Sequence, residues 1–270
     1  MINRSMIQAS VTMGQLQNKL DLIGNNLANT NTTGYKSRQA NFASLLVQQM
    51  DNLDDEKAET GRLTPDGIRV GTGAKLAHTN LDLSHGSLKQ TGRELDVALM
   101  RDNDLFQLEV DGQTQYTRAG NFYLNPAENG QMELTNADGF RVLGADGEPI
   151  VFDGDMDGIT IREDGAVLVT RGRQQTVEGR LGIVQAIRPR MLEADGANRF
   201  RLPEGTPAAG ILEAVNQNDT QIKSRTLEDS NVDISQQMTD LLMAQRAYQF
   251  NARSISTSDQ MMGLVNQLRT

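Results

Sequence analysis

The chain has 270 residues, a formal net charge of −9, 37% apolar residues, 4% aromatics, no Trp and no Cys. The charge argues against non-specific binding to nucleic acid or anionic lipid, which needs basic patches. The missing Cys excludes a disulfide framework and a Cys-ligated zinc, and so few aromatics point to an extended or segmented molecule.

The chain opens Met1-Ile2-Asn3-Arg4-Ser5-Met6, with no apolar stretch and no cleavage site of a general secretory signal. No run of 18 apolar residues occurs, so nothing reads as a membrane span. The first predicted element is a helix reaching to about Asn29. Ile2, Met6, Ala9, Met13, Leu16, Leu20, Ile23 and Leu27 follow one another at alternating steps of four and three. This is an a/d heptad seam about 39 Å long at the helical rise. So narrow a seam calls for a partner helix rather than a broad core. Asn25, Asn26 and Asn29 stand at its end. Three Asn in place of Ala cost a helix about 1–2 kcal/mol. Either the helix frays there, or the amides bond a partner helix or a neighbouring subunit. Gly34 then reads as a stop or turn residue.

Phe42, Leu45, Leu46 and Met50 fit a short second helix or an extended strip, which completes an N-terminal segment of residues 1–50. Residues 51–75 are polar and Gly-rich and read as a long connector. From about residue 76 to 226 the texture is alternation: Leu81/Leu83, Leu95/Val97/Leu99, Phe106/Leu108/Val110 and Val167/Val169. Turn pairs recur through it at Asp111-Gly112, Asn129-Gly130, Asp138-Gly139, Asp146-Gly147, Asp157-Gly158 and Asp164-Gly165. Such spacing predicts an antiparallel all-β domain. Residues 227–270 close the chain with a second helix. Asp233 and Gln236 resemble a capping box, and the heptad positions are Ile234, Met238, Leu241, Gln245, Tyr248, Ala252, Ile255, Asp259, Met262 and Asn266. The three polar positions either fix register or face water, with Leu242, Met261 and Val265 carrying the apolar face instead. The fold class is therefore α+β, with terminal helices pairing as a coiled coil around a β-rich middle.

Four ordered blocks carry a resemblance. They are Ile23–Ala28 through Asn29 to Ser37, Gly86–Leu99, Tyr116–Phe122, and Leu227 through Gln249. Together they resemble the signatures of the bacterial flagellar basal-body rod and hook proteins, and they span the chain end to end. Leu63-Thr64-Pro65-Asp66-Gly67-Ile68-Arg69-Val70-Gly71-Thr72-Gly73 resembles the connector of the distal rod type. Thr30-Asn31-Thr32-Thr33 and the Met-rich C-terminus depart from that type, and a Bacillus-type hook-basal-body paralogue fits as well. The resemblance implies terminal helices forming an inner coiled-coil layer with the β domain outside it. It also implies export, unfolded and uncleaved, through the flagellar type III apparatus. The implied partners are other copies and neighbouring rod and hook proteins.

On this reading the self-assembly seam is Ile2, Met6, Met13, Leu16, Leu20, Ile23 and Leu27 with Ile234, Met238, Leu241, Tyr248, Ile255 and Met262. The signature contacts are Asn25, Asn26, Asn29, Gly34 and Tyr35. No catalytic, cofactor or metal residue is expected. Asp153-Gly154-Asp155-Met156-Asp157-Gly158, with Asp164 at the twelfth position, imitates the start of an EF-hand loop. Its flanks read as strands, so it reads as an acidic hairpin turn. His78 and His85 are the only histidines and have no carboxylate-rich neighbourhood in the sequence. The chain therefore reads as a non-enzymatic structural subunit of the distal rod, self-assembling into a torque-transmitting tube. The alternatives are a hook or rod-adaptor protein of the same family and, in another class, a secreted β-domain enzyme or lectin.

Overall fold

A computed structural model describes residues 2–44, 47–50, 68–71, 74–127, 130–196, 198–216 and 219–268. The chain divides into two compact units. One comprises residues 1–25, 38–80 and 234–270, and the other residues 26–37 and 81–233.

In the first unit, α1 runs Ile2–Ala28 and α2 runs Ile234–Leu268. The heptad pattern of α1 marks its sheltered face. Met6, Ala9, Met13, Leu16, Leu20, Ile23 and Leu27 are buried or half-buried, whereas Ser10, Gly14, Gln17, Asn18, Asp21 and Gly24 are exposed. On α2 the sheltered stripe is Gln237, Leu241, Ala244, Tyr248, Asn251, Ile255, Ser258 and Met262. Large and small or polar residues thus alternate at steps of four and three, a seam that lets a neighbouring backbone approach closely at every second position. Between the helices in sequence, the strand Arg38–Ser44 pairs with Ala74–Leu81. Val47–Met50 pairs antiparallel with Ile68–Gly71. The strip around Phe42 is therefore extended rather than helical. Most of the predicted connector, residues 51–67 and 72–73, lies outside the described residues, whereas Ile68–Gly71 is a strand.

The second unit is built on a ten-stranded sheet. Its longest hydrogen-bonded path runs Val151–Asp153, Gln131–Thr135, Arg141–Val142, Asp104–Val110, Gln113–Thr117, Arg199–Arg201, Glu193–Ala194. A separate three-stranded sheet joins Gly158–Ile161, Ala166–Arg171 and Gln174–Arg180. Strand Asp104–Val110 shows why the middle of the sheet is secure. Phe106, Leu108 and Val110 enter one apolar core, with Phe106 edge-on to Phe122 at 5.1 Å. Leu105, one residue out of phase, enters a second core with Tyr116 and Phe200. A strand buried on both faces cannot slip its register without exposing one set. Its hairpin to Gln113–Thr117 turns on Asp111 and Gly112, both at positive φ, as the two-residue turn between right-twisted strands requires.

The acidic segment Asp153–Asp157 is not a hairpin turn, contrary to the sequence reading. The strands on either side of it belong to different sheets, so it is a crossover. Asp157 accepts a hydrogen bond from Gly172 N, and Arg171 Nε donates to the Asp155 carbonyl at 2.7 Å. The periodicity of its flanks identified strands but carried no information about which strands they join.

Candidate functional site

The second unit gathers one charged or backbone group from each of three sequence blocks around a single carboxylate supplied by the fourth. Glu228 ends the strand Thr226–Glu228, which pairs antiparallel with Leu88–Gln90. That pairing points its side chain into the protein, where it is 1% exposed. Lys36 Nζ lies 2.6 Å from Oε1, Arg118 Nε lies 2.6 Å from Oε2, and Gly86 N donates to Oε1 at 2.9 Å. Lys36 also donates to the Ser84 carbonyl at 2.5 Å, and Arg118 to the carbonyls of Asp104 at 2.5 Å and Leu99 at 3.2 Å. Neither cation has an exposed side chain. The two cations thus direct their donors at one carboxylate and three carbonyls, and Arg118 Nη2 also lies 3.2 Å from His85 Nδ1.

Burial pushes the Glu228 carboxyl up, but the charges and hydrogen bonds of Arg118 and Lys36 outweigh that and hold it below its ordinary value. Burial lowers the Lys36 ammonium, only partly opposed by Glu228. Two cations against one anion leave an excess positive charge. Asp104 stands beside Arg118 to balance it, fully buried, with no hydrogen-bond partner on either carboxylate oxygen. Burial raises its carboxyl to about 6, opposed by the charges of Arg118, Arg101 and His85. His85 completes the cluster, 3.5 Å from Glu228 and 3.7 Å from Asp102. This corrects the sequence reading of His85 as lacking carboxylate neighbours: they lie 17 and 143 positions away in the chain.

Backbone and amide bonds brace the same point. Gly34 N donates to the Glu228 carbonyl at 2.8 Å, and Ser37 N to Asn231 Oδ1 at 2.7 Å. Asn231 Nδ2 in turn donates to the carbonyls of Asp82 at 2.9 Å and Ser84 at 3.1 Å. Gly34 sits at φ +67°, and a Cβ there would lie 2.5 Å from Ala119 N. Only glycine satisfies both the conformation and the approach. Asn26 is buried, and Tyr35 Oη donates to its Oδ1 at 3.0 Å. Asn29 Oδ1 accepts from Thr32 at 3.1 Å, while Asn25 is exposed.

The structure thus brings Asn26, Gly34 and Tyr35 together with Lys36, Arg118 and Glu228. The last three are not among the residues singled out from the sequence. Lys36 and Arg118 are the single charges of their blocks, whereas Glu228 stands next to Asp229 with nothing local to set it apart. Of the predicted seam residues, those of α1 from Met6 to Leu27 line its sheltered face, as do Leu241, Tyr248, Ile255 and Met262 on α2. Ile234 and Met238 are exposed in the single chain. No group of three or more His, Asp or Glu among the described residues is placed to hold a metal ion, and no described helix is long and apolar enough to cross a membrane.

The buried salt link joins the segment just after α1 to the segment just before α2 within the second unit, a bracing role that belongs to structural proteins. The family comparisons agree with that class. Residues 9–36 match the flagella basal body rod protein family, residues 103–169 the flagellar hook protein FlgE/F/G D1 domain, and residues 223–268 the flagellar basal body rod FlgEFG protein C-terminal domain. The flagellar hook-basal body complex protein FlhP of Bacillus subtilis is 40% identical over 270 residues, covering 98% of this chain and 99% of that protein. The flagellar basal-body rod protein FlgG of the same organism is 32% identical over 98% of this chain and 99% of its own length. FlgG of Borreliella burgdorferi is 34% identical over 98% of both. The chain belongs to the flagellar basal-body rod and hook protein family and is a structural, non-enzymatic subunit of the basal body. The alternative of a secreted enzyme or lectin falls away.

Proposed function

We propose that this chain is a rod subunit of the distal kind that polymerises through its terminal helices. In this reading α1 and α2 pair as a coiled coil, and neighbouring copies cover their outer faces. The observation that carries the reading is the apolar surface left on α2. Leu242, Met243, Phe250, Met261, Leu264 and Val265 are all more than half exposed outside the sheltered stripe. An exposed apolar strip of that extent marks an interaction surface. The contact between copies is head-to-tail, so it propagates helically instead of closing as a two-fold dimer does. The β unit then decorates the helical layer. The Cys-free composition suits export in an unfolded state through the flagellar type III apparatus.

A second reading has its own support. The 40% identity to a hook-basal body complex protein exceeds the 32% and 34% to two rod proteins, which favours an adaptor position between rod and hook. Immunogold labelling of isolated hook-basal bodies separates the two. Label along the distal rod is expected. Label confined to one short zone at the hook junction favours the adaptor, and no label on the structure overturns both.

A further inference from the structure

The β unit carries a cleft of about 590 Å³ between the strands Val151–Asp153 and Gln174–Arg180. Among the described residues each of these strands has a pairing partner on one side only, Gln131–Thr135 and Ala166–Arg171 respectively. The cleft therefore has open strand edges along its sides. Its floor is apolar, with Ile150, Val151 and Val177, and Val177 is about half exposed. Asp146, Glu148 and Glu178 supply three negative charges against one positive charge, Arg180. Glu178 is engaged by Arg171, which leaves Asp146 and Glu148 as the anions of the rim without an ion pair among the described residues.

Elsewhere on the same unit stands the segment Ile187-Arg188-Pro189-Arg190-Met191, which includes a single 3₁₀ turn at Pro189–Met191. Ile187 and Met191 are exposed large apolar residues, and Arg188 and Arg190 are exposed with no ion pair among the described residues. In a chain of net charge −9 this is an unusual place for two unpaired arginines flanking apolar side chains. The turn leads into Glu193–Ala194 at one end of the strand path, whereas Val151–Asp153 lies at the other end.

We infer that the cleft receives the Ile187–Met191 turn of a second copy of this chain, Arg188 and Arg190 meeting Asp146 and Glu148 while Ile187 and Met191 cover the apolar floor. The two surfaces differ in charge and lie at opposite ends of the strand path. The contact is therefore heterologous, with a projection on one copy entering a recess on the next, and it extends an assembly instead of closing it. It is a contact between β units, additional to the helical one, and it rests on the assembly reading above.

The test uses the purified full-length chain and two charge-reversed variants, Arg188→Glu/Arg190→Glu and Asp146→Lys/Glu148→Lys. Like charges facing each other across an interface repel strongly. Each variant alone is expected to lose at least about tenfold of its sedimentable polymer, and an equal mixture to recover it, since each variant then meets a complementary surface. Circular dichroism melting checks that both variants stay folded. Reversed variants that polymerise like the wild type, or a mixture that fails, overturn the cleft contact and leave helical assembly standing. A wild type that forms no polymer overturns the assembly reading itself. For that case, and for a variant that misfolds, the Cys-free chain offers a direct second measurement. A Val177→Cys/Met191→Cys double variant, oxidised at high concentration, is expected to give a ladder of disulfide-linked multimers. Absence of the ladder overturns the inference.

Discussion

At the scale of single residues, Glu228 decides whether the terminal segments are held. Its two cationic partners are fully buried, so removing the carboxylate leaves two buried cations with only the nearby Asp104 to offset them. Breaking a buried ion pair from one side costs about 3–5 kcal/mol, far more than the pair contributes relative to an apolar replacement. Glu228→Gln is expected to lower the unfolding free energy of the chain by about that amount in urea titrations. Asp104 gives a prediction of the opposite sign. Its carboxyl is raised from an ordinary 3.8 to about 6 in the folded protein. The native state then holds the proton more tightly than the unfolded state. Stability therefore falls as pH rises from about 4 to about 6, and is flat beyond. Asp104→Asn is expected to remove that fall. It gains on the wild type across this window, by as much as about 3 kcal/mol at pH 7, with no gain at pH 4. Melting curves of both proteins at several pH values measure it. Neither residue was legible in the sequence. Lys36 and Glu228 are 192 positions apart, Arg118 and Glu228 110 apart, and nothing local distinguishes a buried charge from a solvated one.

At the scale of elements, the sequence was most informative where structure is local. The α1 seam follows from spacing alone, because side chains three and four apart share a helix face whatever lies opposite. The same spacing identified α2 and its residues Leu241, Tyr248, Ile255 and Met262. It did not identify the intervening sheltered positions Gln237, Ala244, Asn251 and Ser258, because an apolar count passes over small and polar side chains. The turn pair Asp111-Gly112 was legible for a local reason too, the positive φ at both residues. Which strands pair was not, since pairing is set by contacts far apart in sequence. The helices yield a mutational test. Leu20 is half-buried on the α1 seam, and a charge placed there without a partner costs several kcal/mol once a neighbour desolvates it. Leu20→Asp is expected to abolish motility while leaving the thermal transition of the β unit unchanged. A motile Leu20→Asp strain would remove the seam from the assembly account.

At the scale of the whole molecule, the ion network joins, within one unit, the chain segments that border the two terminal helices. Residues 26–37, which include the last three residues of α1, and residues 227–233, which precede α2, both belong to the β unit. Lys36 and Glu228 join these two segments directly. The chain should consequently survive a break between them. Two co-expressed pieces, residues 1–59 and 60–270, are expected to purify together, held by the network and by the strand pairs Arg38–Ser44 with Ala74–Leu81 and Val47–Met50 with Ile68–Gly71, and Lys36→Met is expected to weaken their association measurably. An association of unchanged affinity in the Lys36→Met variant would show that the network does not help to join them.

The central claim, a structural subunit that polymerises through an apolar helical surface, is tested most directly by electron microscopy of the purified full-length chain alongside Phe250→Glu. Phe250 is the most exposed large apolar residue of α2 among those described, so the substitution places a charge on the assembly surface and disturbs little inside the single chain. The account predicts tubes or rods with helical periodicity from the wild type and dispersed subunits from Phe250→Glu, with superimposable melting curves. A wild type that stays monomeric at high concentration, or a Phe250→Glu protein that forms the same tubes, would contradict it.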